Sequence, residues 1–395
     1  LRSTSLPYCR PHLNANEILA AAECLREGWL TTGPKVKEFE AAFSRACGVE
    51  HAVALNSCTA ALHVALAAMG VGPGDEVITP SLTFVAGAQC TMELGATPVF
   101  SDIDRETLSV TVESLEAVVT PRTKVIITMP YAGRPLDIAR IVEFAHARGI
   151  RVLEDAAHAA GTLDRGEWAG TRSDAAAYSF YATKNMTTAE GGMLVTRDDG
   201  IAERARILGL HGMSKDAWKR YTAKGAWRYD VVVPGFKYNM PDPLAAIGIG
   251  QLERLPSMQA ARDALARSYL DGLSELEGFS VQAGPSSIGD RHSWCMFVVK
   301  VDPRVAGFDR NRVIEELSRA NIGSSVHYIP THQLSAYRHL QHAPLPETDA
   351  VWEQLVSLPL FPAMSESDVD DVLDVLRRLS DSGSAGASLP AALAQ

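Results

Sequence analysis

The sequence predicts an α/β fold, and three observations carry that prediction. Between about residues 50 and 200, short apolar runs alternate with longer amphipathic ones. The short runs are apolar throughout, as strands are when helices cover both faces of their sheet. Beyond Asp242 the alternation gives way to one long helical stretch and a few scattered strands, the pattern of a smaller α+β unit.

Taken in order, strands are expected at Ala52–Leu55, Glu76–Thr79, Thr97–Ser101, Lys124–Met129, Arg151–Glu154, Ala175–Phe180 and Gly192–Thr196. Helices are expected between them at Thr59–Met69, Phe84–Leu94 and Pro135–Arg148. In the last of these, Ile138, Ile141, Val142 and Ala145 recur at helical spacing, and Gly149 supplies the C-terminal stop. A long helix should start near Asp242 and reach Glu275, with Pro256 as the point where it would break. A strand (Ser293–Val301), a helix (Arg310–Ala320), a strand (Gly323–His327) and a last helix (Ser367–Leu379) follow. We expect a large domain over residues 1–255, a small one over 256–379, and a flexible, small-residue-rich tail over 380–395.

Composition narrows the function. The 395 residues are 46% hydrophobic and 21% charged, with a formal net charge of −10. That balance excludes a nucleic-acid binder working by phosphate neutralisation and argues against adhesion to an anionic membrane. The longest mostly apolar run, Ala60 to Val71, contains His63 and is too short to span a bilayer, and Leu1-Arg2-Ser3-Thr4 holds no signal-peptide core. Six scattered cysteines show neither a C-x-x-C pair nor zinc-ligand spacing. The expectation is a cytoplasmic protein with free thiols and no metal.

Four stretches look chemical. Asn56-Ser57-Cys58-Thr59-Ala60 joins a strand to a helix through hydroxyl residues, which makes an anion site or an ordinary N-cap. Val152-Leu153-Glu154-Asp155 ends an apolar strand in carboxylates, at the sheet edge where α/β proteins bind ligands; a structural salt bridge is the plainer alternative. Lys184, 29 residues beyond Asp155, sits in an apolar, hydroxyl-rich turn, the setting of Schiff-base lysines, although a lone lysine is ordinarily a surface residue. His327 and His332 flank Pro330 at a strand end, but no acid or thiol nearby completes a metal set.

In this order the set resembles the fold-type I pyridoxal-phosphate aminotransferases. The matching stretches are GWLTTGP from Gly28, GDEVITPSLTFVA from Gly74, EDAAHAAG from Glu154, SFYATKN from Ser179, AEGGM from Ala189, PGFKYN from Pro234, AAIGIGQLERL from Ala245 and HYIP from His327. Together they are similar to the DegT/DnrJ/EryC1/StrS sugar aminotransferases over about residues 7 to 378, most of all to the branch that makes UDP-4-amino-4-deoxy-L-arabinose. The implied fold is a large α/β domain with a mostly parallel central sheet and a smaller α+β domain.

What the resemblance implies for the site is specific. Lys184 would be the Schiff-base and proton-shuttling lysine, and Asp155 would hold the pyridine nitrogen of pyridoxal 5'-phosphate. Phe84 would stack on the ring, with Ala157 or His158 at its other face or its hydroxyl. Cys58, Thr59, Ala60 and Ser179 would surround the phosphate, joined by Lys237 or Asn239 of a partner subunit in a homodimer. Trp29, Thr31, Thr32, His327, Tyr328 and His332 would line the sugar-nucleotide pocket. The implied reaction is ping-pong transfer of nitrogen from L-glutamate, leaving 2-oxoglutarate, to C4 of a nucleotide-linked ketosugar. Amination at C3 or of an aminocyclitol ketone, and a non-catalytic regulator on the same fold, are the alternatives. Two positions depart from the family pattern: Lys237 stands where asparagine is usual, and Pro130 where histidine is common.

Overall fold

Seven strands between residues 50 and 200 build the sheet that positions everything else. In the computed structural model, which describes residues 2–214 and 229–386 with side chains as far as 381, two N-terminal helices precede it, α1 (Ala15–Glu27) and α2 (Pro34–Cys47). Then come β1 (His51–Leu55), α3 (Cys58–Ala68), β2 (Glu76–Pro80), α4 (Ala86–Glu93), β3 (Thr97–Ser101), α5 (Val112–Glu116), β4 (Thr123–Thr128), α6 (Ile138–His146) and β5 (Arg151–Asp155). A small ribbon, β6 (Leu163–Asp164) with β7 (Glu167–Trp168), precedes β8 (Ala175–Ser179), β9 (Gly192–Thr196) and α7 (Asp199–Leu208).

The sheet order is β1-β9-β8-β5-β4-β2-β3. Only β9 runs against its neighbours, and the other pairings are parallel. Alternation along each strand explains the unbroken apolar runs. Val53, Leu55, Leu153 and Leu194 pack on one face with α3 and α7. On the opposite face Ala52, Ala54, Ala176 and Val195 meet α2, while Ile78, Ile126 and Val152 meet α6. Three alanines in β8, Ala175 to Ala177, keep that strand thin beneath α3.

The rest of the chain begins with α8 (Asp242–Leu273). Pro256 does not break it. The helix packs on α1 and α2 along one part and on the last helix along another, and that packing outweighs the one lost backbone bond. The boundary expected between residues 255 and 256 therefore falls inside a continuous helix. A second, antiparallel sheet follows, with β10 (Phe279–Val281), β11 (Phe297–Val301) and β12 (Leu355–Leu358) in that order. Helices α9 (Pro303–Ala306), α10 (Arg310–Arg319), α11 (Pro346–Trp352) and α12 (Glu366–Gly386) surround it.

Three expectations shift here. Residues Ser293 to Met296 are not strand: Trp294 has φ +48, and Ser293 and Cys295 donate instead to the carbonyls of Gly133 and Ala132. Gly323–His327 forms no strand beyond a single bridge between Ser325 and Ser357, because the chain leaves the sheet there for the site. The helix expected to stop at Leu379 continues to Gly386, so part of the expected tail is helical, and residues 387–395 lie outside the described residues. The second sheet is latched to the first unit. Asp102 caps α11 through the N–H groups of Glu347 and Thr348 at 3.0 and 2.8 Å. Arg134 donates to the carbonyls of Ala283 and Gly284.

Candidate active site

Parallel strands bring several chain ends to one edge. At the end of β1, Ser57 caps α3: its Oγ accepts the Ala60 N–H at 3.0 Å, and its carbonyl accepts that of Ala61. The N–H groups of Cys58 and Thr59 make no hydrogen bond among the described residues. They face outward from a helix start, the usual place for an anion. The turn is packed too tightly for substitution, since a Cβ on Gly192 of β9 would stand 2.3 Å from the Ser57 carbonyl oxygen.

Asp155 closes β5, only 5% exposed. Its Oδ1 accepts the Ala157 N–H at 3.1 Å and lies 3.8 Å from Cys58 Sγ. Oδ2 has no partner among the described residues. Burial raises the Asp155 pKa, opposed by the Ala157 N–H and by the charge of Lys184. Burial also pushes the Cys58 thiol up, helped by the Asp155 charge. Ser179 closes β8, and its Oγ accepts the Tyr181 N–H at 3.3 Å. The turn that follows, whose Lys184 N–H donates to the Tyr181 carbonyl, leaves Lys184 half-buried and near enough for its charge to act on Asp155.

Two imidazoles share this field. His158 is fully buried, with Nε2 2.9 Å from the Tyr328 hydroxyl and Nδ1 buried without a partner. Burial, then the Lys184 charge, hold its pKa well below the ordinary value. The same two causes bring His327 down to about 4, and its Nδ1 pairs with Ser357 Oγ at 2.8 Å. Both rings are neutral near pH 7. Phe84, 55% exposed, faces Tyr328 at a ring separation of 6.0 Å. The neighbourhood thus joins Cys58, Thr59, Ala60, Phe84, Asp155, His158, Ser179, Lys184, His327 and Tyr328.

His332 belongs to the frame around it. Both ring nitrogens are engaged, Nδ1 by Ser81 Oγ at 2.6 Å and Nε2 by Asp349 at 3.0 Å, and the residue is 7% exposed. The remaining expected residues form a second cluster. Asn239 donates to Thr32 Oγ1 at 2.7 Å and to Thr31 Oγ1 at 3.3 Å, and Lys237 Nζ donates to Asn239 Oδ1. With Trp29, Lys37 and Arg206 they line a cleft of about 1080 Å³. Among the described residues, no hydrogen bond or ion pair links this cluster to Asp155 or Lys184. It abuts the helix start instead, through the Asn56 N–H and the Tyr238 carbonyl at 2.7 Å.

Sequence reading overlooked several contributors. Tyr131 donates its hydroxyl to the His327 carbonyl and stands edge-on to His158. Pro130 opens the single turn Tyr131–Gly133, so the departure there shapes the backbone that aims Tyr131. Ser293 Oγ donates to the His158 carbonyl, and Asn185 donates to the Ser293 carbonyl. An aromatic at a strand end marks Tyr131; nothing local marks Ser293.

With this geometry in view, the comparisons with known proteins agree. The model of the DegT/DnrJ/EryC1/StrS aminotransferase family matches residues 11–377. The spore coat polysaccharide biosynthesis protein SpsC of Bacillus subtilis is 46% identical over 381 residues, covering 95% of this chain and 97% of that protein. The sugar aminotransferase Spr1654 of Streptococcus pneumoniae, in its PLP form, superposes with a TM-score of 0.88 at 32% identity, covering 96% of this chain and 99% of that one. Helicobacter pylori PseC, an aminotransferase involved in the biosynthesis of pseudoaminic acid, gives 0.88 at 27% identity, covering 96% and 100%. Among the described residues no helix is long and apolar enough to cross a membrane.

Proposed function

Because the chain belongs to the DegT/DnrJ/EryC1/StrS aminotransferase family and is a pyridoxal-phosphate-dependent sugar aminotransferase, we propose that it takes nitrogen from L-glutamate, releases 2-oxoglutarate, and delivers the amine to C4 of a nucleotide-linked ketosugar. The two half-reactions alternate in ping-pong order at a site completed by the partner subunit of a homodimer.

The donor set fits the cofactor. A phosphate suits the unpaired N–H groups of Cys58 and Thr59 and the hydroxyls of Thr59 and Ser179. The free Oδ2 of Asp155 suits a ring N–H, and the orphaned Nδ1 of His158 suits a polar ring substituent. When bound, pyridoxal phosphate supplies the electron sink and carries the amino group.

The chain does the rest. Asp155 would hold a proton on the ring nitrogen of the bound cofactor through a charge-assisted hydrogen bond. Lys184 Nζ would accept the proton from the substrate carbon that bears the amine and return it to the carbon on the other side of that nitrogen, a positioned acid–base step worth roughly 10²–10⁴ in rate. Phe84, exposed beside Tyr328, would shield one face of the bound ring from water. His158, neutral and tethered by Tyr328, holds its ring edge-fixed without adding charge.

The carrying observation is that a buried carboxylate, a lysine and an open helix start converge on one sheet edge. The 1080 Å³ cleft with Trp29, Thr31, Thr32 and Lys237 supports a large, anionic second substrate. Its separation from Lys184 supports a shared site, since Lys237 and Asn239 then serve a neighbour's cofactor. The test is spectral. The visible cofactor band should bleach with L-glutamate and return with UDP-4-ketosugars, and Lys184→Ala should lose both responses. Return of the band only with a C3 ketosugar or a free cyclitol would overturn the C4 assignment.

A further inference from the structure

A second group of chemically able side chains lies between α3 and α4, outside the machinery above. One ring nitrogen of His63, Cys90 Sγ and a Glu93 carboxylate oxygen all lie within 4.8 Å of one another. His63 Nδ1 stands 3.6 Å from Glu93 Oε2 and 3.1 Å from the Tyr238 hydroxyl. His63 is 5% exposed and Cys90 is fully buried. The Glu93 side chain, at 45% exposure, opens the group to solvent. His63 Nε2 is buried and has no partner among the described residues. The nitrogen that faces Glu93 and Tyr238 is the other one, Nδ1, which is therefore the candidate ligand atom.

We propose that His63, Cys90 and Glu93 form a binding site for a zinc-class divalent cation, with the Tyr238 hydroxyl or a water completing the shell. An imidazole, a thiol and one carboxylate favour such an ion over magnesium or calcium, which take oxygen donors. Around tetrahedral zinc, with bonds of about 2.0–2.3 Å, ligand atoms stand roughly 3.3–3.7 Å apart. The His63–Glu93 separation is already at that edge length, and closing the group needs a side-chain shift of about 1 Å. Binding replaces the Cys90 S–H bond, which now points to the Thr59 carbonyl at 3.4 Å, by a sulfur–metal bond, and the proton leaves to solvent. No electron is transferred. The ion would tie the helix that starts at the anion turn to α4 and to Tyr238, the neighbour of Lys237.

The three residues are 27 and 3 positions apart, so no ligand motif links them in sequence. The site stands independently of the transamination reading. Holoenzyme freed of metal by chelation and dialysis is titrated with Co²⁺ and then Zn²⁺. One Co²⁺ per chain is expected, with a near-ultraviolet thiolate charge-transfer band that Zn²⁺ displaces, and Zn²⁺ should raise Tm. Cys90→Ala should lose the band and weaken binding by about tenfold or more, with the visible cofactor band intact as the report of folding. Cys24→Ala, a buried thiol in α1, should retain both. No thiolate band in the wild type, or its survival in Cys90→Ala, would overturn the site. If Cys90→Ala does not fold, Glu93→Gln decides: about tenfold weaker Zn²⁺ binding supports the proposal, and unchanged binding ends it.

Discussion

His332 Nδ1 lies 2.6 Å from Ser81 Oγ, and through that contact the second α+β unit holds the loop that presents Phe84. Thr331 reinforces the hold, donating its N–H to the Ser81 carbonyl at 2.9 Å and its hydroxyl to that of Thr83. Burial lowers the His332 pKa against the pull of Asp349, so the ring serves as a neutral brace.

His332→Ala leaves the fully buried Ser81 hydroxyl without its ring partner. A stability loss of about 1–3 kcal/mol is expected, measured by urea unfolding. Circular dichroism of the bound cofactor should weaken as Phe84 loosens. An unchanged cofactor signal would show that the brace does not reach Phe84.

Asp242 offers a second long-range constraint. Completely buried at the start of α8, its carboxylate accepts the N–H groups of Gly33, Lys35 and Val36 at 2.7, 3.1 and 3.1 Å, and so caps α2 from another helix. Asp242→Ala should cost about 2–3 kcal/mol, more than an ordinary cap, because three donors lose a charged acceptor. Asp242→Asn should lose roughly half as much. Gly33→Ala should mimic the loss, since its Cβ would meet Asp242 Oδ2 at 2.6 Å and the Trp29 ring at 2.7 Å. Equal urea midpoints for Asp242→Ala and the wild type would refute the cap.

Tyr328→Phe isolates one hydrogen bond. Without that hydroxyl both nitrogens of buried His158 stand unpartnered. A loss of about 1–3 kcal/mol is expected, together with weaker cofactor retention, read by equilibrium dialysis of the holoenzyme. Retention equal to the wild type would mean the tether does not orient His158.

How much was legible beforehand follows from range. Strands buried on both faces write themselves as apolar runs, so the end of β5, with Asp155, and the turn after β8, with Lys184, could be placed from local pattern alone. Ser57 likewise declares a helix start by residue type. The clamp of His332 on Ser81 spans 251 positions and that of Asp242 on Gly33 spans 209, and neither leaves a local trace. Pro256 shows the converse: its local signal for a break is real, yet packing of α8 along its whole length overrides it. The His63, Cys90 and Glu93 group was invisible for the same reason, as it exists only where α3 and α4 pack.

The last prediction concerns pH and the neighbour of Asp155. Glu154 points to the other face of β5, is 1% exposed, and accepts the Ser173 hydroxyl at 3.1 Å, with the Gly170 N–H also favouring its charged form. Burial raises its pKa from 4.5 to about 7; the Ser173 bond and the Gly170 N–H oppose the rise and the Asp164 charge adds to it. The folded chain therefore holds a proton that the unfolded chain has released between about pH 4.5 and 7. Where the folded state binds more protons, stability falls as pH rises. Glu154 should thus be harmless below pH 4.5 and cost its full amount above pH 7, at most roughly 3 kcal/mol. Glu154→Gln keeps the shape and the acceptor while removing the ionisation. It should match the wild type near pH 4.5 and exceed it at pH 8, with the gap opening across that window. Because other titrating groups cancel in the difference, urea midpoints of the two proteins at both pH values are sufficient. Parallel curves would mean that Glu154 titrates in the folded protein as it does in the unfolded chain, its burial being offset by the Ser173 hydroxyl and the Gly170 N–H.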